Sequence, residues 1–406
     1  MLNSVKSHLS RTVHQWGGGL AVFFGYTHLS HDLTAGLLVA LLPFIRQDMG
    51  LNYLQSGLLV SAFSLTSGFS QLLGGLLADR ISRRKAIALG LGGVGACAII
   101  IGLSSSYYAL LASLIIMGIV TGAYHPSAVP AITDYLETAR RGRAIALHML
   151  GGNIGFVLGP LLGGAIASIL NWHLAYILLS IPALVAAPLV LTRLKFPAQA
   201  GGTASTSAQR AAAGSGRKLT GLSLVFRTVA SAVIPAVIMG LIVNPTMSFV
   251  PLYLVDKHHF SSSTAALWVS IIRSGGLVGS LFGGWLADKW GRRRAIFLAL
   301  GATGPVLLLI AWLPLSVVLV IAFVLFGLVM AMREATTQTY LMDSTPSHLR
   351  ATVFGIYFGF GMEGSSLIQP VAGHFMDIYG IGDVFIAIAL IGITLSVVTV
   401  LIARKT

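Results

Sequence analysis

Apolar residues run along this chain in twelve stretches, and most have about the length that a helix needs to cross a lipid bilayer, roughly 20 residues. Short polar turns separate most of the stretches. The pattern predicts an all-α membrane protein with twelve transmembrane helices. The stretches occupy residues 18–45, 54–78, 86–104, 107–133, 144–169, 173–192, 222–254, 263–287, 295–313, 315–341, 352–376 and 383–403.

Composition agrees with a lipid environment. The chain has 406 residues, of which 55% are hydrophobic and only 9% are charged. A soluble domain carries roughly 25% charged residues, so this chain could not cover a water-facing surface. We expect the lipid bilayer to be its surroundings and the protein to be a monomer.

The charge is strongly positive, with a formal net charge of +14. In a soluble protein this would suggest nucleic acid as a partner. Most of the Lys and Arg residues, however, lie at the termini or in alternate loops, and only Arg46 and Lys257 lie in loops of the other set. This positive-inside pattern predicts a multi-pass membrane protein with both termini in the cytoplasm, and no nucleic-acid partner.

The single cysteine and the N-terminal residues give no sign of a disulfide, a metal site or a signal peptide. The single cysteine, Cys97, lies in an apolar stretch. An intramolecular disulfide and a cysteine-based metal site are therefore excluded. The N-terminal residues lack the apolar core and cleavage site of a signal peptide, so we expect the first stretch to remain as an anchor.

A segment rich in Gly, Ser and Ala separates the sixth stretch from the seventh. It includes AQAGGTASTSAQRAAAGSGRK and predicts a flexible cytoplasmic linker over residues 193–221. The predicted domains are an N-terminal six-helix bundle over 1–192 and a C-terminal six-helix bundle over 222–406.

The two halves repeat each other. GGLLADRISRRK at 74–85 recurs as GGWLADKWGRRR at 283–294, an offset of 209 residues. Asp134 and Asp343 share that offset, and Pro160 and Pro370 are 210 residues apart. Two parallel repeats predict pseudo-symmetric bundles with a substrate site between them, near the membrane midplane.

The repeated motif resembles the GxLaDrxGRR signature of major facilitator superfamily transporters, and the resemblance extends over essentially the whole chain. Ser82 replaces the usual glycine in the first copy, whereas the second copy is complete. The matching residues are Gly75, Leu77, Ala78, Asp79, Arg80, Arg83 and Arg84, then Gly284, Leu286, Ala287, Asp288, Lys289, Gly291, Arg292 and Arg293.

These loops suggest a conformational latch. We expect close helix approach at Gly75 and Gly284, and an aspartate in each loop that faces a helix N-terminus. An arginine of each loop can pair with the aspartate that ends the fourth or the tenth stretch. The resemblance implies that such contacts hold the outward-facing state, while the alternative is that the charges only fix topology. The latch residues are Asp79, Arg83, Asp134, Asp288, Arg292 and Asp343.

The fifth stretch contains GFVLGPLLGG at 155–164. In water, a Gly inside a helix costs about 1 kcal/mol and a Pro about 3 kcal/mol, but membrane helices tolerate both. Glycines at 151, 155, 159 and 163 share one face, where another helix can approach closely, and the proline bends the helix. The motif residues are Gly155, Gly159, Pro160, Gly163 and Gly164.

This motif resembles the fifth-helix signature GxxxGPxxGG of proton-coupled exporters in the same superfamily. The resemblance implies packing against the eighth helix. Ala146 stands where the longer signature has a further glycine. The alternative is a generic packing seam with no bearing on transport.

Ionisable residues inside the apolar stretches are the candidates for function, because they are expensive in a membrane. Asp32 follows His28 by four residues, so the two share a helix face. The offset of 209 maps His125 onto Glu334. The candidate set for proton coupling or the substrate cavity is His28, His31, Asp32, His125, Asn244, Arg273, Arg333, Glu334 and Glu363.

Their chemistry suits proton coupling, since histidine titrates near neutral pH. Asp32 with a histidine neighbour, or Glu334 with Arg333, could exchange a proton for substrate. We expect protons as the coupling ion, with no other cofactor and no metal. The alternatives are a structural hydrogen-bonded pair at Asp32, a static Arg333–Glu334 ion pair, and structural roles for Arg273 and Glu363. The resemblance implies that helices one, four, seven and ten line the cavity.

Two short stretches resemble the fosmidomycin-resistance branch of the superfamily, which contains bacterial inner-membrane drug exporters, and the resemblance implies the bacterial inner membrane as the location of this chain. They are the His31–Asp32 pair followed by LLP, and YHPSA in the fourth stretch. Buried arginines would suit an anionic substrate such as a phosphonate or a carboxylate.

The leading interpretation is therefore a proton-coupled antiporter that exports small amphipathic or anionic compounds by alternating access. The alternative is a symporter or facilitator that imports an organic anion such as a carboxylate. A third class, a non-transporting receptor or an enzyme, lacks support because neither GxSxG nor GxxxxGK[ST] occurs.

Overall fold

The computed structural model describes residues 18–194, 217–314, 317–345, 357 and 364–405. Within these residues the secondary structure is helical and no strand occurs. Most of the predicted linker at 193–221 lies outside the described residues. So does much of the eleventh predicted stretch, including Glu363.

The helices follow one another with short turns. A 3₁₀ turn at Gly364–Leu367 precedes α13. The α-helices are α1 (Gly18–Ala35), α2 (Leu37–Met49), α3 (Tyr53–Ile81), α4 (Arg83–Gly102), α5 (Tyr107–Thr121), α6 (His125–Tyr135), α7 (Thr138–Ile169), α8 (Trp172–Arg193), α9 (Arg217–His258), α10 (Ser262–Trp290), α11 (Arg292–Trp312), α12 (Val317–Ser344), α13 (Ile368–Tyr379) and α14 (Ile381–Lys405).

Ten segments of the described chain are long and apolar enough to cross a bilayer. Of the two other predicted stretches, the second is the 29-residue helix α3, and the eleventh lies largely outside the described residues. Large apolar side chains are exposed along the helices, for example Ile169, Leu281 and Trp312. Such surfaces fit lipid rather than water. The all-α membrane class predicted from the sequence is confirmed.

Two of the predicted stretches are broken helices. The first is divided between α1 and α2 at Gly36, where a Cβ atom would lie 2.9 Å from the carbonyl oxygen of Asp32. The fourth is divided between α5 and α6 by residues 122–124, and Pro126 occupies the first turn of α6, where a proline costs no hydrogen bond. Both breaks lie next to ionisable residues of the candidate site.

The chain divides into two compact units. The first unit comprises Met1–Phe196 with Phe260–Ser270, and the second comprises Pro197–His259 with Ile271–Thr406. Buried side chains from α1, α4, α6 and α8 form a core in the first unit, around Phe24, Leu91 and Val190. Leu286, Ala295 and Met332 form part of the core of the second unit.

The internal packing of the first unit recurs in the second. A Cβ atom on Gly118 of α5 would lie 2.6 Å from the carbonyl oxygen of Phe63 in α3. At the same offset of 209 residues, a Cβ atom on Gly327 of α12 would overlap the carbonyl oxygen of Ile272 in α10. The sequence repeat is therefore also a repeat of close helix contacts.

The turn that precedes each second helix of the motif has the same backbone conformation in both units. Ser82 has φ 81° and ψ 142°, and Gly291 has φ 87° and ψ 142°. This region is essentially restricted to glycine, because a Cβ atom clashes with the neighbouring backbone there. The serine in the first copy therefore holds a strained backbone.

The close helix approach predicted at Gly284 is wrong by one residue. A Cβ atom there would meet nothing within 4 Å, whereas one on Gly283 would lie 3.0 Å from Cα of Met332. Gly283 belongs to a face with Gly275 and Gly279, spaced four residues apart, and that face packs on α12. The side chains around Gly75 lie outside the described part of the chain.

Candidate functional site

The middle of α1 carries three buried ionisable residues that form one hydrogen-bonded group. Asp32 Oδ2 lies 3.0 Å from His28 Nε2, as the spacing of four residues predicted. Asp32 Oδ1 lies 2.7 Å from His31 Nδ1, although His31 is the adjacent residue. Both oxygens of one carboxylate therefore contact an imidazole.

His125 approaches this group from the break between α5 and α6. Its Nε2 atom lies 3.8 Å from Asp32 Oδ1, and its side chain keeps 32% of its surface exposed. The His28 and His31 side chains are only 6% and 0% exposed. Because α6 begins at His125, the ring stands at a helix start with access to the surface of the unit.

Two residues that the sequence analysis did not single out complete the group. The His148 ring, on α7, stacks on His28 with centroids 4.1 Å apart. Tyr124 stacks on His31 at 4.5 Å, and its hydroxyl lies 2.9 Å from Thr27 Oγ1. The rule that selected His125, an ionisable residue in an apolar stretch, would also have found His148. Nothing in the sequence marks Tyr124.

The hydrogen bonds assign protons to the imidazoles. His28 Nδ1 lies 2.9 Å from the carbonyl oxygen of His148, and a carbonyl can only accept, so Nδ1 carries a hydrogen. The hydrogen bond between His28 Nε2 and Asp32 Oδ2 then needs a second proton. The hydrogen bond between His31 Nδ1 and Asp32 Oδ1 needs a third. The three side chains thus hold one proton more than a carboxylate with two neutral imidazoles would hold.

The net charge of these three side chains is therefore zero while they share that proton. His31 Nε2 is buried and has no hydrogen-bond partner in the described part of the chain. It fits the unprotonated nitrogen of a neutral ring, because a buried N–H without an acceptor would be costly. We call His28, His31, Asp32, His125 and His148 the histidine–aspartate cluster.

The same group has the residue types of a metal site. Ligand atoms of His28, Asp32 and His125 all lie within 4.8 Å of one another. Donors around a tetrahedral zinc ion lie about 3.3 Å apart, since each bond is near 2.0 Å. The cluster is wider, and its hydrogen bonds already occupy the inward-facing atoms. The geometry fits proton sharing better than a closed metal shell.

The glycines of α7 bring α7 against the cluster. A Cβ atom on Gly152 would lie 2.5 Å from His28 Cε1 and 2.7 Å from Asp32 Oδ2. One on Gly155 would lie 2.6 Å from the carbonyl oxygen of Leu29, also in α1. Only glycine permits this approach.

The resemblance implied packing of the motif on the eighth predicted helix, which is α10, and the structure shows this contact at Gly164, whereas the glycine face with four-residue spacing packs on α1 and α2. Gly155 and Gly159 lie against Leu29 and Leu33 of α1, and a Cβ atom on Gly163 would lie 2.7 Å from the Leu37 side chain of α2. Gly164 is the member that faces α10, where a Cβ atom would overlap the Cβ atom of Ala266. Proline at 160 lies inside the unbroken helix α7.

In the second unit, Arg333 and Glu334 make separate contacts. Arg333 Nη1 donates to the carbonyl oxygen of Ala236 in α9 at 3.1 Å. Glu334 Oε1 accepts a hydrogen bond of 2.9 Å from the Gln338 amide, one turn further along α12. No ion pair joins the two residues in the structure, so the described contacts do not support a static pair.

Asn244 of α9 belongs to a polar row in the second unit. Its side-chain amide donates to the Ser365 hydroxyl. One turn later, Ser248 Oγ accepts a hydrogen bond of 2.9 Å from Gln369. Arg273 lies on α10, and Glu363 lies outside the described residues.

The arginines of the repeated loops pair with the aspartates that the sequence offered. Arg83 bonds Asp134, and Arg292 bonds Asp343. Each pair lies within one unit. Asp288 is exposed, and the Asp79 side chain lies outside the described part. The role of these contacts as a latch stays a prediction.

The comparison with protein families decides the class of the protein. The family model described as the Major Facilitator Superfamily matches residues 24–368. The chain belongs to the major facilitator superfamily. It is therefore a multi-pass membrane transporter of small molecules, and not an enzyme.

Relatives within the major facilitator superfamily are distant but extend over most of the chain. The fosmidomycin resistance protein of Escherichia coli (strain K12) is 24% identical over 368 residues, which cover 88% of this chain and 87% of the relative. A gallate transporter of Pseudomonas putida is 25% identical over 365 residues, covering 84% and 81%.

Solved structures agree on the major facilitator fold. A bacterial homolog to the human lysosomal transporter Spinster, in an inward-facing and occupied conformation, superposes with a TM-score of 0.77. The identity is 18%, and the superposition covers 98% of this chain and 97% of that one. At that identity the likeness concerns the fold alone.

Proposed function

We propose that this protein is a proton-coupled antiporter that exports small amphipathic or anionic compounds by alternating access. The protons move inward through the histidine–aspartate cluster while the substrate moves outward. Asp32 and His28 hold the coupled proton, and His125 connects them with water.

The observation that carries the proposal is the contact of His28 Nε2 with Asp32 at 3.0 Å. His28 Nδ1 is already committed to a carbonyl, so this contact requires an exchangeable proton. Loss of the proton would leave an uncompensated negative charge inside an apolar span, which is expensive. The protonated and the deprotonated cluster therefore differ strongly in free energy. Such a difference supports coupling, because substrate can bind preferentially to one of the two protonation states.

Two observations support the outward direction of transport. The glycine–proline motif of α7 resembles a signature of exporters, and one relative carries the name of a drug-resistance protein. Because the motif packs against α1 next to Asp32, it also supports a tight seal around the proton-holding group.

Import of an organic anion is the second candidate. A relative of similar identity carries the name of a gallate transporter, and gallate is a carboxylate. The same buried charges would serve a symporter that moves an anion together with a proton.

The test uses proteoliposomes that hold a pH-sensitive dye and an imposed proton gradient. Benzoate, phenylphosphonate and a cationic dye are added one at a time to the purified full-length protein. Antiport predicts that a transported compound dissipates the gradient by moving opposite to the protons. Movement of benzoate together with protons would replace the exporter by the importer. Compound movement that ignores the gradient would overturn proton coupling altogether.

A further inference from the structure

Arg333 is an unusual residue for the interior of a membrane span. Its side chain lies in α12 and is only 8% exposed. A guanidinium offers five N–H donors, and among the described residues Arg333 has one hydrogen-bond acceptor, the carbonyl oxygen of Ala236. Its Nε atom is buried and has no partner among the described residues.

The charge of Arg333 also lacks a paired carboxylate in the described part of the chain. Glu334 is adjacent in sequence, but its carboxylate bonds the Gln338 amide instead. Arg273, on α10, is within electrostatic reach of Glu334. A buried charge without a partner is costly, and such a residue in a membrane protein defaults to a functional role.

The surroundings of Arg333 are open to a polar ligand. Arg273, Glu334 and Gln338 keep part of their surface exposed, and Ser274 is exposed, although all four belong to membrane-spanning helices. Polar side chains in such helices face a protein interior or a water-filled cavity rather than lipid. These polar side chains of α10 and α12 are therefore expected to face the protein interior or a water-filled cavity, where a transported solute passes.

We infer that Arg333 binds an oxyanion of the transported compound, either a carboxylate or a phosphonate. The inference rests on the proposed function in one respect, that the bound anion is the cargo. The Nε–H and a neighbouring Nη–H group form one edge of the guanidinium, and that edge matches two oxygens of an oxyanion. The Glu334 carboxylate lies beside this site and opposes the binding of an anion, so its charge sets how tightly the anion is held.

The test measures binding at equilibrium, without a membrane gradient. Purified full-length protein in detergent is titrated calorimetrically with benzoate and phenylphosphonate, and with benzamide as the uncharged counterpart of benzoate. Binding of at least one anion, with no binding of benzamide, is expected. Equal binding of benzamide and benzoate, or no binding of either anion, would overturn the inference.

Three variants test whether the anion binds at Arg333, and a fourth variant is the control. Arg333→Gln should weaken anion binding by at least about tenfold, since hydrogen bonds to a charged group are lost. Arg333→Lys keeps the charge but not the paired donors, so an intermediate affinity is expected. Glu334→Gln should tighten binding, because it removes a negative charge. Arg294→Gln removes an exposed arginine of α11 and should change nothing.

A result in which Arg333→Gln binds the anion like the wild type contradicts the inference. If that variant does not fold, the wild-type protein is treated instead with phenylglyoxal, a reagent that modifies arginine, with and without benzoate. Benzoate should slow modification of the peptide that contains Arg333, and unchanged modification counts against the site. Neither measurement involves protons, so failure here leaves proton coupling at Asp32 standing, and failure of coupling leaves the anion site standing.

Discussion

Gly152 is a residue whose missing side chain determines the geometry of the histidine–aspartate cluster. It lies on α7, directly against the atoms that share the proton. The hydrogen bonds of Asp32 depend on an approach of α7 that no other residue type allows. Proton transfer groups need placement within a fraction of an ångström, so this backbone contact has direct consequences for transport.

Gly152→Ala should therefore disrupt the cluster. The added Cβ atom would lie 2.5 Å from His28 Cε1 and 2.6 Å from His28 Nε2, so the ring must move away from Asp32. Overpacking of this kind costs about 1–3 kcal/mol. We expect gradient-driven transport in proteoliposomes to be lost, together with a lower unfolding temperature.

The matched control is Gly142→Ala on the same helix. A Cβ atom there meets nothing within 4 Å, and alanine favours a helix over glycine by up to about 1 kcal/mol. That variant should transport normally. Equal activity of the two variants would mean that the α7 approach does not determine the cluster.

The turn residues of the two repeated loops offer a reciprocal experiment on backbone strain. Ser82→Gly should stabilise the protein and Gly291→Ser should destabilise it, because both positions have φ above 80°. A residue other than glycine in this region costs about 1–3 kcal/mol. Thermal unfolding in detergent measures both changes. Shifts in the same direction for the two variants would contradict the strain argument.

Helices pack through glycine faces in both units. In the first unit, glycines of α7 pack against α1. In the second unit, Gly275, Gly279 and Gly283 of α10 pack against α12. The spacing of four residues was visible in the sequence of α7, but spacing identifies a face and not its partner. The partner follows from which neighbouring backbone is close enough, and that is a property of the folded unit.

Gly279→Ala should destabilise the second unit. A Cβ atom there would overlap the carbonyl oxygen of Leu328, so α10 and α12 must separate, at a cost of about 1–3 kcal/mol. Gly284→Ala, five residues further along the same helix, adds a methyl group to open space and should be neutral. Comparable losses of unfolding temperature in both variants would contradict the assignment of the contact face.

The sequence of the whole molecule predicts its class and its repeat well. Ten apolar stretches of membrane length and the offset of 209 residues are found again in the described helices, because they depend on local pattern. The membrane orientation that the basic loops predict stays a prediction. The helix breaks at Gly36 and at residues 122–124 were not anticipated. Apolar residues continue through both breaks, so the hydrophobic pattern does not mark them. Close contacts with neighbouring helices determine where these helices end.

The candidate site was predicted in part. His28 and Asp32 meet because they share a helix face, and helix geometry alone ensures this. His125 reaches Asp32 and His148 stacks on His28 from other helices, and a single sequence contains no measure of such distances. Arg333 and Glu334 do not pair, since neighbouring residues on a helix point in different directions.

Whether Asp32 holds the coupled proton is tested by measuring two activities of Asp32→Asn in proteoliposomes. Exchange of labelled for unlabelled substrate needs no net proton movement, whereas transport driven by a proton gradient does. We expect the variant to retain exchange and to lose gradient-driven transport, while Asp383→Asn, at an exposed helix start, retains both. Gradient-driven transport by Asp32→Asn at the wild-type rate would show that Asp32 does not hold the coupled proton.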